Sequence, residues 1–188
     1  MNLYLALLGS INVGGNRLLM VDLREALERE DFADIETVAA SGNILFRHEE
    51  TPPEGLGEKI AWIIREEFEI ASEVVVLTRD QLAQALAENP FTDRTQDGAD
   101  KQVHTLFFAG QPSEEDFAQL LKDYEGRGPE RLALGTNALH IDYNNGVGRS
   151  PLTNGFIAKR LGFGGTARNI RSMRRILAKM DTLEAAGG

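Results

Sequence analysis

Apolar and polar positions alternate along the chain in runs that spell out a strand and helix order. Residues 2–8 are almost all apolar, as in a central strand. Gly9-Ser10-Ile11-Asn12-Val13-Gly14-Gly15-Asn16 interrupts them and predicts a loop. Residues 20–30 follow with helical spacing, Leu19, Leu23, Ala26 and Leu27 on one side and Asp22, Arg24, Glu25 and Glu28 on the other. Residues 34–40 and 44–47 read as two strands joined by the tight turn Ser41-Gly42-Asn43. Thr51-Pro52-Pro53 breaks the chain, and Pro53 suits the first turn of a helix carrying Leu56, Ile60, Ile63 and Ile64. A strand over 73–78 closes a β-α-β-β-α-β order, the split βαβ pattern of a ferredoxin-like unit. A connecting helix over 79–89 ends at Asn89-Pro90-Phe91, and the polar stretch 92–101 marks a boundary between units 1–90 and 91–188.

The second half repeats much of this order. Residues 102–109 alternate as a strand, with His104 and, later, His140 expected to pack on a sheet face. Ser113 before Glu114, Glu115 and Asp116 predicts a capped helix whose buried side is Phe117, Leu120, Leu121 and Tyr124. Strands at 131–134 and 138–143 flank Gly135-Thr136-Asn137, and a short helix at about 152–161 follows a second Gly-rich loop, 144–150. After Gly162-Phe163-Gly164-Gly165 the pattern predicts a last helix, capped by Thr166, standing where a fourth strand would complete the unit. That helix buries Ile170, Met173, Ile176, Leu177 and Met180 and exposes Arg168, Arg171, Arg175 and Lys179. The fold class is therefore α+β: two ferredoxin-like (βαββαβ-type) α/β plaits, the second ending in extra C-terminal helices.

Composition narrows the chemistry. At 188 residues, 42% apolar and 26% charged, the chain can bury a core in one large or two small domains. It has no cysteine, which excludes disulfides, a thiol nucleophile and thiolate metal sites. No membrane-length apolar run and no signal-like N-terminus is present, so a cytoplasmic location is expected. The net charge of −9 opposes non-specific nucleic-acid binding by the chain as a whole, but the charge is uneven. Between Arg149 and Met180 stand eight basic and no acidic residues, so the remainder carries −17.

Three Gly-rich loops carry the candidate chemistry. In a split βαβ unit the turn after the first strand and the hairpin between the second and third emerge at one end of the sheet, roughly 10 Å apart. Asn12, Gly14 and Gly15 should then lie beside Ser41, Gly42 and Asn43, where free backbone N–H groups form an anion cradle. Gly146-Val147-Gly148-Arg149-Ser150 has the same logic, although it lacks the lysine of a P-loop and is not a dinucleotide fingerprint. Arg168 and Asn169, in the predicted first helical turn beyond Thr166, combine free amides with a guanidinium. The expected ligand is phosphate-bearing, a nucleotide or nucleic acid. Two alternatives stand beside it: an enzyme acting on a small phosphorylated metabolite, and an interaction module docking an acidic protein on the basic last helix. His48, His104 and His140 lack partners at metal or triad spacing, so no catalytic set, metal or cofactor is expected.

Leu8-Gly9-Ser10-Ile11-Asn12-Val13-Gly14-Gly15, Ser41-Gly42-Asn43-Ile44-Leu45-Phe46, Asn89-Pro90-Phe91, Asn145-Gly146-Val147-Gly148-Arg149-Ser150 and Gly165-Thr166-Ala167-Arg168-Asn169 together resemble the bacterial domain-of-unknown-function family 1697. The resemblance implies two ferredoxin-like units and no established activity. The chain departs from the family pattern, which usually has Arg-Gly at Gly9-Ser10, Gln at Ala40, Lys at Pro151 and Trp at Ile170.

Overall fold

The computed structural model describes residues 1–39, 42–49, 53–93 and 99–187. Two compact units divide it, Met1–Ala83 with Arg175–Gly188, and Gln84–Arg174.

In the first unit, β1 (Asn2–Leu8), α1 (Met20–Glu28), β2 (Ala33–Thr37), β3 (Asn43–His48), α2 (Glu54–Phe68) and β4 (Val74–Thr78) follow the predicted order. The sheet is antiparallel in the order β2-β3-β1-β4, with β1 central. That position explains why six of the seven β1 residues are buried. One sheet face presents Tyr4, Ala6, Ile44 and Phe46 to Leu23 and Leu27 of α1 and to Leu56, Ile60 and Ile64 of α2. Phe46, fully buried, meets Phe32 edge-on with ring centroids 5.1 Å apart and Tyr4 at 5.8 Å. Leu19, assigned by periodicity to the buried side of α1, instead stands at its N-cap, 55% exposed, where no helical turn yet orients it.

α3 (Arg79–Glu88) leads into the second unit: β5 (Val103–Phe107), α4 (Glu114–Tyr124), β6 (Arg131–Gly135), β7 (Ala138–Asp142), α5 (Asn154–Leu161), β8 (Thr166–Asn169) and α6 (Ile170–Ala186). Ser113 caps α4 as its sequence predicts, accepting from the Asp116 N–H at 3.0 Å. Leu121, placed by its spacing on the buried side of α4, is 41% exposed at the rim of that side. The sheet order β6-β7-β5-β8 repeats the first sheet position for position. Leu106, Leu139 and Ile141 pack beneath Leu120 of α4 and Ile157 of α5.

The last elements differ from the sequence expectation. A fourth strand does complete the second plait, because residues 166–169 pair antiparallel with β5, Thr166 opposite Phe107 and Arg168 opposite Thr105. α6 follows this strand. Its cap is Asn169, whose Oδ1 accepts from the Ser172 N–H at 2.8 Å, and not Thr166, which is buried in the sheet. On the inward side of α6, Ile170, Met173, Ile176 and Met180 are buried as their periodicity predicts, and Leu177 is half-buried. No helix among the described residues is long and apolar enough to cross a membrane.

Candidate functional site

The loop after β1 is held by its own polar side chains. Asn12 Oδ1 accepts from the Leu18 N–H at 3.0 Å, and Asn16 Nδ2 donates to the Ser10 carbonyl at 3.0 Å. The Asn12 and Asn16 amides are also used, donating to the Asn16 and Val13 carbonyls at 2.6 and 3.0 Å. Ser72 Oγ donates to the Gly9 carbonyl at 2.6 Å, and the Leu8 N–H donates to the Gly42 carbonyl at 2.8 Å. The hairpin residue Gly42 is thus tied to the end of β1 from which the loop leaves. Ser41 lies outside the described residues. Asn43 is buried within β3.

After this bracing, the N–H groups of Val13, Gly14 and Gly15 have no acceptor among the described residues, and all three residues are exposed. Gly14 and Gly15 have φ of 58° and 90°, and a Cβ at either would meet nothing within 4 Å. Glycine is therefore required there by backbone conformation and not by crowding. Arg17, directly beyond, is exposed and forms no ion pair among the described residues. The loop is thus braced by its own side chains, with three amides lacking an acceptor among the described residues and an exposed guanidinium two residues further on.

The second-unit candidates are more heavily committed. Gly146 has φ 97° and opens a single 3-10 turn, Val147–Arg149. Ser150 Oγ donates to Glu130 Oε1 at 2.6 Å and accepts from the Leu152 N–H at 3.1 Å. Glu130 also accepts from the Tyr124 hydroxyl. Burial alone would raise the Glu130 pKa, but the Ser150 and Tyr124 hydroxyls outweigh it and hold the carboxyl below its usual range. Burial and this carboxylate push Tyr124 up to about 12. An open cleft of about 480 Å³ borders Tyr124, Glu130 and Arg131. Arg149 is exposed, but an anion reaching Ser150 would meet the Glu130 charge.

Thr166 and Arg168 lie in a strand ahead of the helix, whose N-terminus is capped three residues later than the sequence suggests, by Asn169. Their amides belong to a strand, Asn169 is spent on its cap, and Thr166 is 2% exposed. Arg168 is half-buried and bonds the Ala167 carbonyl at 2.7 Å, and burial pushes its guanidinium down to about 10, still charged at neutral pH. The basic side of α6 is partly neutralised as well: Arg171 grips Asp100 with two bonds of 2.7 and 3.0 Å, and Lys179 pairs with Glu36 at 2.9 Å. The structure therefore brings Gly14, Gly15 and Gly42 to one sheet end, with Asn12 as their brace. Within the second unit it leaves Arg149 and Arg168 in separate settings.

Sequence reasoning missed a buried polar chain around His140. Register places Ala133, His140, Thr105 and Arg168 in one row across the second sheet, with side chains on one face. His140 Nδ1 lies 2.9 Å from Thr105 Oγ1 and Nε2 lies 3.3 Å from Glu88 Oε1. Glu88 stands 52 residues before His140, so spacing carried no sign of the pair. Among the described residues no group of three or more His, Asp or Glu is arranged to hold a metal ion.

Two antiparallel α/β plaits, the first with a braced glycine loop at its sheet end, define the class as α+β. Within that class, the chain belongs to the family described as "Protein of unknown function (DUF1697)", whose model matches residues 1–140. The motifs at 145–150 and 165–169 lie beyond the matched residues. The chain is also similar to the solved structure of the conserved bacterial protein SP0830 from Streptococcus pneumoniae, with TM-score 0.67 and 18% identity over 96% of this chain and 99% of that one. At that identity the likeness shows the fold alone. No curated protein matches the chain.

Proposed function

We propose that the chain binds a phosphate-bearing ligand of mononucleotide size through the loop after β1. The supporting observation is that the loop uses Asn12 and Asn16 to fix itself and leaves the Val13, Gly14 and Gly15 amides exposed beside Arg17. The Gly42 carbonyl ties the hairpin to Leu8 at the end of β1, where the loop begins, and Asn12 acts as a brace more than as a ligand contact. A small ligand is favoured over nucleic acid by charge. The first unit holds 9 basic and 18 acidic residues, a field that repels a polyanion, whereas one phosphate sees mainly its local donors. Arg149, in the other unit, remains a secondary candidate.

A thermal-shift screen against nucleotides, sugar phosphates and short oligonucleotides, at low and high salt, tests this reading. A ligand present at 100-fold its Kd adds ~2.7 kcal/mol, which raises Tm by roughly 5–10 °C in a chain of this size. The expected result is a salt-sensitive shift with a small phosphate ester, weakened by Arg17→Ala. No shift with any phosphate compound, or one indifferent to Arg17→Ala and salt, contradicts it.

A further inference from the structure

We propose that Glu88, His140 and Thr105 form a proton-operated latch, in which neutral His140 fastens the β6–β7 hairpin and protonation of its ring loosens that hairpin locally. Glu88 offers only acceptors, so His140 Nε2, 3.3 Å away, carries the hydrogen. Nδ1 is then the acceptor for the Thr105 hydroxyl at 2.9 Å. Thr105 in turn faces Asn89 Nδ2 at 3.5 Å. Beyond the imidazole, Glu88 accepts from the Thr136 N–H at 2.8 Å and the Thr136 hydroxyl at 3.0 Å. The chain therefore runs in one direction from Asn89 to Glu88 and clamps the 135–137 turn to the C-terminal end of α3. Gly135 makes the approach possible, because a Cβ there would lie 2.5 Å from His140 Nε2 and 2.6 Å from Glu88 Oε1.

A proton added at Nδ1 reverses this order, since Nδ1 must then donate and the Thr105 hydroxyl loses its acceptor. The charged group at the ring is Glu88 on α3, which favours the imidazolium, and Arg168 of β8 stands on the same sheet face with Thr105 between it and His140. Asp142, next on that face of β7, is paired with Arg131 at 2.8 Å. Burial decides the balance: His140 and Thr105 are 0% exposed, and desolvation lowers the His140 pKa despite Glu88. A folded value below the unfolded ~6.5 means that stability is full above that pH and is lost as pH falls through the folded value. The loss should appear first in β6, an edge strand with only partly buried side chains after Arg131.

Amide exchange of residues 132–137, corrected for the intrinsic rate, is expected to lose protection between pH 7.5 and 5.0. His140→Gln should abolish that pH dependence, and His104→Gln, on the opposite sheet face, should retain it. An equal loss in His140→Gln, or none in the unaltered chain, overturns the latch. Should His140→Gln not fold, the imidazole of the unaltered chain is titrated by NMR: a midpoint below ~6.5 supports the latch and one at or above it refutes it.

Discussion

Phe46→Ala is expected to remove about 3–5 kcal/mol of stability, the largest effect of any single substitution considered. Phe46 is fully buried at the centre of β3 and touches two aromatic rings at once, those of Phe32 and Tyr4. Truncation deletes a ring's worth of apolar burial and leaves a cavity between the sheet and its helices, where regular elements on both sides limit collapse. Trp62, the single tryptophan, sits in α2 of the same unit and reports its unfolding by fluorescence. Urea titration should show a lower midpoint with little change in slope. A loss under about 1 kcal/mol would mean that the site collapses freely and that this core is not packed as described.

Gly165→Ala should cost about 1–3 kcal/mol through overpacking. A Cβ there would lie 2.5 Å from the Phe107 carbonyl oxygen and 2.7 Å from the Phe108 ring. The first is backbone of β5, directly opposite the start of β8, so relief requires moving a paired strand. The φ of Gly165 is ordinary, which leaves crowding as the cause. Gly148→Ala is the control: its Cβ would meet nothing within 4 Å and its φ is not positive, so an effect within ~0.5 kcal/mol is expected. Equal effects for the two would remove the argument that β8 is pressed onto β5.

The contrast between these two regions shows what the sequence carries. β1, α1, β3 and α2 are legible because long apolar runs and helical periodicity announce them. β8 is only four residues long, contains Arg168 and Asn169, and shows no apolar alternation. Its strand character comes from pairing with β5, a long-range term that local pattern does not contain. The true cap was nonetheless visible in retrospect, since Asn169 immediately precedes the apolar period that starts at Ile170.

The candidate site was legible as loops and less so as side chains. Gly14 and Gly15 do stand exposed at the predicted sheet end. Asn12 and Ser150, polar residues that suggested ligand contacts, turn out to satisfy the protein's own backbone or carboxylates, and Asn16 braces the same loop. That outcome follows from the cost of leaving loop amides and carbonyls unpaired, which short polar side chains are well placed to meet. Glu130 lies twenty residues from Ser150 and Glu88 fifty-two from His140, so only the fold could bring either pair together.

The most direct measurement is an amide NMR titration of the isotopically labelled protein with adenosine monophosphate, ribose 5-phosphate and inorganic phosphate. Saturable shifts centred on Val13, Gly14, Gly15 and Arg17 are expected with at least one of the phosphate esters, reduced by added salt. Saturable shifts centred elsewhere, or none with any of the three at millimolar concentration, would contradict the loop after β1 as the phosphate site.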